Sequence, residues 1–180
     1  MDTNDKPIKD KLYLIGLMGA GKTTIGRQLA RKLHLDFYDS DREIEARTGV
    51  SIPTVFEIEG EDGFRRREAQ VIAELSVLPA CVIATGGGIV LRPENRCVLR
   101  ETGWVVYLDV PPAILWERTR LDKNRPLLRV DDPLGRLQEL YALRAPLYRE
   151  TADYIVDGAH MQASTIVQQL LKEVGERWKR

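Results

Sequence analysis

Five short apolar runs recur along the chain, each rich in aliphatic, β-branched or aromatic residues. Continuous apolar runs of this length are typical of strands that are buried on both faces, as in a parallel sheet. We therefore predict five strands, over 12–16 (LYLIG), 36–39 (DFYD), 81–85 (CVIAT), 104–109 (WVVYLD) and 154–157 (YIVD).

Longer amphipathic segments separate these runs and predict helices. After the first run, Ile25, Leu29 and Leu33 recur every four residues and form one apolar stripe on a helix. A second stripe near the end of the chain is expected to pack on the sheet, and it comprises Ile166, Val167, Leu170, Leu171, Val174 and Trp178. Because strands and helices alternate, we expect one α/β sandwich domain over 1–180, built around a parallel five-stranded sheet.

The composition of the chain excludes several broad classes of protein but does not indicate a particular function. The 27 basic residues (Lys and Arg) balance the 27 acidic ones, so no overall charge favours nucleic acid or an acidic membrane surface as a partner. Two cysteines are too few for a disulfide framework or a metal cluster. Residues 1–10 are polar, unlike a signal peptide, and we expect them to be flexible. No apolar run is long enough to span a bilayer, so we expect a reduced, cytoplasmic domain.

A glycine-rich segment, 16–23 (GLMGAGKT), lies between the first predicted strand and the first helical stripe, and we call it the P-loop. It matches the pattern G-x-x-x-x-G-K-[ST] in full, which is typical of nucleoside triphosphate binding. Glycines let backbone N–H groups wrap closely around phosphates at the positive end of the following helix. Lys22 is expected to reach the β- and γ-phosphates, and the Thr23 hydroxyl to bind Mg²⁺. The expected ATP-binding residues here are Gly19, Ala20, Gly21, Lys22, Thr23 and Thr24.

Two acids follow the second predicted strand. The third strand ends in ATGGG without an acid, so the carboxylate for a metal is expected from Asp39 at the end of the second strand. Asp41 lies two positions further on and is expected to bind another ligand. The structural alternative is that one of these acids caps the helix that follows, which leaves the other unexplained.

Two arginines suit a carboxylate ligand. Arg65, in 60–68 (GEDGFRRRE), is three residues from Glu68 on a predicted helix, so an ion pair can hold its planar fork rigid. The alternative is a charged, exposed helix face. Arg144 is the second candidate, and its alternative is a surface ion pair with a nearby glutamate. Acids for hydroxyls and arginines for a carboxylate predict a small polyhydroxylated acid as the acceptor.

The segment 120–133 (RLDKNRPLLRVDDP) is basic and contains two prolines that interrupt helix formation. We call it the lid segment, because a basic loop above a phosphate site suits a mobile lid. The alternative is a solvated surface loop.

Several of these segments occur together in one family. GLMGAGKT, DSD followed by REIEARTGVSIPTVFEIEGEDGFRRRE, then TGGG, RPLL and RAPLYRETAD stand here in the order and spacing of shikimate kinases. The chain resembles that family from about Leu12 to about Asp157. The resemblance implies a three-layer P-loop kinase fold with strand order 2-3-1-4-5 and a mobile lid. It also implies transfer of the ATP γ-phosphate to the 3-hydroxyl of shikimate, in chorismate and aromatic amino-acid biosynthesis.

The resemblance also implies the roles of individual residues on the nucleotide side. Lys22, Asp39 and Arg125 are the expected catalytic residues, with Arg125 closing on the ATP phosphates from the lid segment. Thr23 is the expected direct ligand of Mg²⁺, with Asp39 beside it. We expect a monomer that binds ATP and shikimate, with no nucleic acid or membrane as partner.

On the acceptor side, the resemblance assigns the hydroxyls of shikimate to Asp41 and its carboxylate to Arg65 and Arg144. Gly87 is expected to line the same pocket through its backbone, and Glu68 to orient Arg65.

One stretch departs from the family. Some members carry an arginine after the last strand that packs on adenine, whereas this chain has 157–164 (DGAHMQAS), with His160 and Met161 near that place. Two rival functions remain at this stage. One is a gluconate-type kinase, which shares the P-loop and an acidic sugar acceptor, and the other is a non-catalytic ATP-dependent regulatory module.

Overall fold

The computed structural model describes residues 9–177. Within that range all strands belong to one parallel sheet in the spatial order β2-β3-β1-β4-β5, which confirms the expected order. The strands are β1 (Lys11–Ile15), β2 (Asp36–Asp39), β3 (Cys81–Ala84), β4 (Gly103–Asp109) and β5 (Tyr154–Asp157). Each predicted run coincides with one of them to within one residue at either end.

Helices surround the sheet and complete the expected three layers. In one group α1 packs with α7, and in the other α4 contacts both α3 and α6. The bounds in the described part of the chain are α1 (Lys22–Leu33), α2 (Ser40–Thr48), α3 (Ile52–Ser76), α4 (Pro93–Thr102), α5 (Pro112–Thr119), α6 (Pro133–Thr151) and α7 (Ala163–Arg177).

The core lies around the three central strands. All residues of β1 and β3, and all of β4 except Asp109, are buried, as continuous apolar runs predict. The edge strands β2 and β5 differ from that prediction, because each has only one neighbouring strand. Every residue of β2 is at least partly exposed, and in β5 only Val156 is buried.

The last helix contributes its apolar stripe to the core. Ile166, Val167 and Leu170 are buried in the same hydrophobic cluster as the strand residues, and α7 also packs against α1. Trp178, the final member of the predicted stripe, and residues 1–8 of the expected flexible segment lie outside the described residues. None of the helices between residues 9 and 177 has the length and apolar character that crossing a membrane requires.

The parallel sheet places three polar segments at one edge. Because all five strands run in the same direction, their carboxyl ends lie side by side. β1 leads into the P-loop, β2 ends at Asp39 and continues to Asp41, and β3 leads into residues 85–88, which we call the TGGG turn. The fold therefore brings together segments that are far apart in sequence.

Two helical glycines provide a matched test of packing. A methyl group on Gly26 in α1 would lie 2.6 Å from Cε2 of Phe37 and 3.2 Å from Cδ1 of Leu14, whereas nothing lies within 4 Å of one on Gly175 in α7. We expect Gly26→Ala to lower the free energy of unfolding by about 1–3 kcal/mol through overpacking. Gly175→Ala should raise it by up to about 1 kcal/mol through helix propensity. Urea denaturation measures both, and a stabilised Gly26→Ala protein would contradict this packing.

Candidate active site

One cavity of about 490 Å³ opens at the carboxyl edge of the sheet. Its wall is formed by the P-loop, the junction of β2 and α2, part of α3, the TGGG turn, the lid segment and α6. Almost all of the residues expected in the site line it: Gly19, Gly21, Lys22, Thr23, Thr24, Asp39, Asp41, Arg65, Gly87, Arg125 and Arg144. Ala20 is the exception, because its methyl group is buried in the core. Its contact with ATP stays a prediction.

Backbone geometry explains the glycines of the P-loop. Gly16, Gly19 and Gly21 have φ values of 146°, 83° and 96°, in the region that residues with a Cβ avoid. A methyl group on Gly16 would also lie 2.8 Å from the carbonyl oxygen of Leu108. α1 then begins at Lys22 without a side-chain cap and without an acid in its first turn. Its first N–H groups and the positive end of its dipole are thus available to an anion.

Lys22 is held inside the cavity by the P-loop backbone. Its Nζ donates hydrogen bonds to the carbonyl oxygens of Gly16 (2.7 Å) and Leu17 (2.8 Å). Burial, and to a lesser extent the charge of the nearby Arg125, lowers the pKa of Lys22 to about 8, while Asp41 and Asp39 oppose the shift. The side chain is therefore a desolvated cation whose charge no carboxylate neutralises by direct contact among the described residues.

Asp39 has two structural contacts, one with each carboxylate oxygen. Oδ1 accepts hydrogen bonds from the backbone N–H groups of Asp41 (3.0 Å) and Arg42 (3.3 Å), so Asp39 caps α2. Oδ2 accepts a hydrogen bond of 2.6 Å from the Thr23 hydroxyl. The capping alternative is thus correct for Asp39, and the same residue also faces the cavity beside Thr23.

The half-buried Asp41 and the buried Glu68 form a pair of acids behind the TGGG turn. Oδ1 of Asp41 and Oε2 of Glu68 are both buried and have no hydrogen-bond partner among the described residues. Each lies 2.7 Å from the position of a methyl group on Gly86, so the two oxygens share one small space that only glycine leaves open. Burial, followed by the charge of Glu68, raises the pKa of Asp41 to about 7. Burial also raises the pKa of Glu68, although Arg65 opposes it.

Arg65 is buried and is fixed on both sides. Nη1 donates to Oε1 of Glu68 at 3.0 Å, as the spacing predicts, and Nη2 donates to Oε1 of Glu61 at 3.2 Å. A methyl group on Gly88 would overlap this guanidinium, so the TGGG turn must be glycine here for Arg65 to reach the cavity. Nε is buried without a partner among the described residues, which leaves the fork one unused donor.

The other two arginines of the RRR run follow the alternative interpretation. Arg66 is exposed, and Nε of Arg67 donates to Oε2 of Glu59 at 2.8 Å on the surface. A charged helix face therefore describes two of the three arginines.

Arg144 is also buried, with only 3% of its surface exposed. The alternative of a surface ion pair with Glu139 or Glu150 is wrong, and Glu139 instead accepts a hydrogen bond from Arg136 at 3.1 Å. Burial, and to a lesser extent the neighbouring Arg65, lowers the pKa of Arg144, whereas a hydrogen bond with Tyr148 opposes that shift. Two guanidinium groups thus lie close together in the cavity wall.

The lid segment contributes Arg125 and Leu127 to the cavity. Arg125 is about a third exposed, and its Nε donates to Oδ2 of Asp122 at 2.9 Å. A short 3-10 helix, Pro126–Leu128, follows and packs on the core. The segment therefore belongs to the site rather than to a distant surface, whereas its mobility stays a prediction.

Sequence reasoning missed Arg118 of α5. Its Nη1 donates to the carbonyl oxygen of Gly19 at 3.2 Å, and its Nη2 donates to that of Gly158 at 3.4 Å. No sequence signal distinguishes it from Arg120 near the same helix end. The departure from the family around His160 falls beside this contact, and His160 itself is exposed and lies off the cavity wall.

An apolar part of the wall was also missed. Phe56 and Phe64 of α3 pack against each other with ring centroids 4.8 Å apart, and both line the cavity. Their spacing on the helix resembles that of ordinary core residues.

Comparison with known proteins identifies the family. The profile described as shikimate kinase matches residues 18–175 of the chain. A shikimate kinase from Dechloromonas aromatica is 65% identical over 162 residues, covering 90% of this chain and 88% of that protein. The chain belongs to the shikimate kinase family. The assignment made from the order of the motifs is confirmed, and with it the class of enzyme, an ATP-dependent kinase.

Solved structures agree with this family. A shikimate kinase from Acinetobacter baumannii, in complex with shikimate, is 46% identical and superposes with a TM-score of 0.91 over 95% of this chain and 96% of that one. A gluconokinase from Sinorhizobium meliloti is 16% identical with a TM-score of 0.57, covering 94% of each chain, so that similarity extends to the fold alone.

The acid pair predicts a pH-dependent effect on stability. The pKa of Asp41 is about 7 in the folded protein, above its ordinary value of 3.8, so folding takes up a proton between these pH values. The ionised carboxylate therefore destabilises the fold increasingly as pH rises toward 7. We expect the stability of Asp41→Asn relative to the native protein to increase by roughly 1 kcal/mol or more between pH 5 and pH 8. Urea denaturation at both pH values measures this, and a difference independent of pH would contradict it.

Proposed function

We propose that this protein is a shikimate kinase that transfers the γ-phosphate of ATP to the 3-hydroxyl of shikimate, giving shikimate 3-phosphate and ADP. One observation carries the proposal: a single cavity holds the P-loop lysine, two buried arginines, the buried Glu68 and the half-buried Asp41. Phosphate binding and recognition of a hydroxylated acid therefore occur within one small volume. The product serves chorismate and aromatic amino-acid biosynthesis.

The acceptor half of the cavity suits an acid that carries hydroxyl groups. Arg65 and Arg144 bind the carboxylate of shikimate, since adjacent buried guanidinium groups favour an anion between them. Asp41 accepts hydrogen bonds from the hydroxyls of shikimate through the oxygen that has no partner in the described structure. Gly87 lines this half through its backbone, and Glu68 orients Arg65.

The nucleotide half suits a polyphosphate. The N–H groups of the P-loop and of the first turn of α1 bind the phosphates, and Lys22 exchanges its bonds to the carbonyls of Gly16 and Leu17 for phosphate oxygens. Arg118 adds a planar cation between the P-loop and the loop after β5.

The residues beside the P-loop fit Mg²⁺. The Thr23 hydroxyl and Oδ2 of Asp39 lie 2.6 Å apart on the cavity wall, and both are oxygens of the kind that this ion prefers. Thr23 would hold the ion directly, with Asp39 beside it. When bound, Mg²⁺ supplies positive charge to the phosphate oxygens of ATP.

The transfer itself is an in-line displacement. The hydroxyl oxygen of shikimate forms a bond to the γ-phosphorus while the bond from that phosphorus to the β,γ-bridging oxygen breaks. ADP leaves with the electron pair, and the hydroxyl proton passes to solvent. Lys22 and Arg125 stabilise the negative charge on the transferred group, and Asp39 orients the hydroxyl. The lid segment closes over ATP and excludes water, which limits hydrolysis.

Two further properties belong to the same proposal. We infer that the protein acts as a cytoplasmic monomer, and that its partners are the two small substrates rather than nucleic acid or a membrane. The balance of charge and the presence of all the site residues in one chain support this.

A direct test uses purified protein with MgATP and shikimate, with detection of the phosphorylated product by mass spectrometry. Gluconate in place of shikimate is the control acceptor, because it offers a carboxylate and hydroxyls on a flexible chain. Phosphorylation of shikimate alone supports the proposal. Phosphorylation of gluconate instead, or ATP binding without any phosphorylated acid, would reject it.

The lid arginine gives one prediction. We expect Arg125→Ala to lower kcat by about 10²-fold or more, because a cation that acts on the transferred phosphoryl group is lost. Its effect on the affinity for shikimate should be small, since Arg125 lies toward the phosphates. Steady-state kinetics measure kcat, and titration with shikimate measures the affinity. Arg129→Ala is the control, because Arg129 lies in the same segment, off the cavity wall, and should keep kcat within about twofold. An unchanged kcat in Arg125→Ala would remove Arg125 from the mechanism.

The residues expected to bind the carboxylate of shikimate give a second prediction about kinetics. Arg65→Lys keeps the charge but loses the planar fork, so we expect KM for shikimate to rise about tenfold or more, with a smaller change in kcat. Arg66→Lys, at the exposed neighbouring position, is the matched control and should leave KM unchanged. Equal KM values for both variants would exclude Arg65 from the carboxylate site.

A further inference from the structure

Tyr148 connects two parts of the acceptor site. It lies one helical turn after Arg144 on α6, so both side chains project from the same face. Its side chain is completely buried, and its hydroxyl donates a hydrogen bond to the carbonyl oxygen of Gly87 in the TGGG turn. The hydroxyl oxygen of Tyr148 in turn accepts a hydrogen bond from the guanidinium of Arg144. A continuous chain of hydrogen bonds therefore runs from Arg144 through Tyr148 to Gly87.

The two arginines of the site are held in different ways. Arg65 forms salt bridges with Glu68 and Glu61. Arg144 forms no salt bridge with any carboxylate in the described residues, although it is just as deeply buried. An arginine side chain has several rotatable bonds, and a bidentate contact requires its fork to lie in one plane. The Tyr148 hydroxyl is the polar side-chain partner that constrains that plane.

We propose that Tyr148 is a positioning residue for the acceptor carboxylate, acting through Arg144 and the Gly87 carbonyl. This inference rests on the proposed function, because it concerns how the same site binds shikimate. The hydroxyl orients the Arg144 fork and holds the TGGG turn at a fixed distance from α6. A methyl group on Gly87 would lie 3.5 Å from Nη1 of Arg144, so the turn and the guanidinium are in close contact.

The neighbouring Tyr107 separates this role from a purely structural one. Its ring packs on that of Tyr148, with centroids 4.9 Å apart, and it is equally buried. Its hydroxyl, however, donates to Oδ1 of Asp109 at 3.0 Å, away from the cavity wall. Tyr107→Phe and Tyr148→Phe thus remove the same atom from adjacent rings that pack at a tilt.

The experiment compares the binding of shikimate and of its methyl ester, by calorimetric titration, to the native protein and to both variants. We expect Tyr148→Phe to weaken shikimate about tenfold, which is the usual effect of losing a hydrogen bond to a charged group. The ester, which lacks the carboxylate charge, should be weakened less than about twofold. Tyr107→Phe should leave both affinities unchanged. In kinetics, Tyr148→Phe should raise KM for shikimate while KM for ATP stays the same.

Two further variants test the route through Arg144. In an Arg144→Ala background, Tyr148→Phe should add almost no further loss of affinity, because the positioned group is absent. Incorporation of 3-fluorotyrosine at position 148 keeps the ring and the hydroxyl but makes the oxygen a poorer acceptor. This protein should lose less affinity for shikimate than Tyr148→Phe does. It replaces Tyr148→Phe in the experiment if that variant does not fold.

The outcomes distinguish this inference from the proposed function. If the native protein phosphorylates shikimate and Tyr148→Phe binds it with unchanged affinity, only the role of Tyr148 is rejected. The same holds if the acid and the ester lose affinity equally, since a general structural defect would do that. If the native protein binds no shikimate, the proposed function fails, and this inference fails with it.

Discussion

Buried charge at the carboxyl edge of the sheet is the constraint on which the rest of the site depends. Arg65, Arg144 and Glu68 are each less than a tenth exposed, and Asp41 has a buried oxygen beside them. Charges removed from water destabilise a fold unless they are paired and hydrogen-bonded. Glu68 and Glu61 pair with Arg65, whereas the side-chain partner of Arg144 within residues 9–177 is the neutral hydroxyl of Tyr148. An anionic ligand would therefore complete the charge balance that the protein leaves open.

The TGGG turn makes this concentration of charge sterically possible. Its glycines are surrounded by charged side chains rather than by the apolar contacts of an ordinary turn. Gly86 faces Asp41 and Glu68, Gly88 faces Arg65, and Gly87 lies against Arg144. A methyl group on Gly86 or Gly88 would displace a functional group, so the turn provides space and not only backbone freedom. Hydrogen-bonding atoms on this wall that have no partner lower the free energy of unfolding. The side chains that carry them are already oriented before the ligand arrives.

The two halves of the cavity use different chemistry. On the nucleotide side, the backbone provides most of the polar groups, through the P-loop and the uncapped start of α1. On the acceptor side, side chains from α2, α3 and α6 converge, and the two arginines are each held by another side chain. Backbone recognition suits a phosphate chain that many proteins bind, whereas oriented side chains suit one particular acid. Asp39 links the halves, since one oxygen caps α2 and the other meets Thr23.

The local sequence pattern was sufficient to predict the strands of this protein and the nucleotide half of its site. The apolar runs locate the three central strands because burial in a parallel sheet requires continuous hydrophobic residues, and shorter aromatic or β-branched runs locate the two edge strands. The P-loop is a contiguous motif whose backbone binds phosphate. Motif order was needed for Arg65, Asp41 and Arg144, because their alternatives as surface charges could not be excluded locally. Only the tertiary structure revealed Arg118, the phenylalanine wall and the hydroxyl of Tyr148. Their roles depend on what lies across the cavity, and that is decided by the packing of helices far apart in sequence.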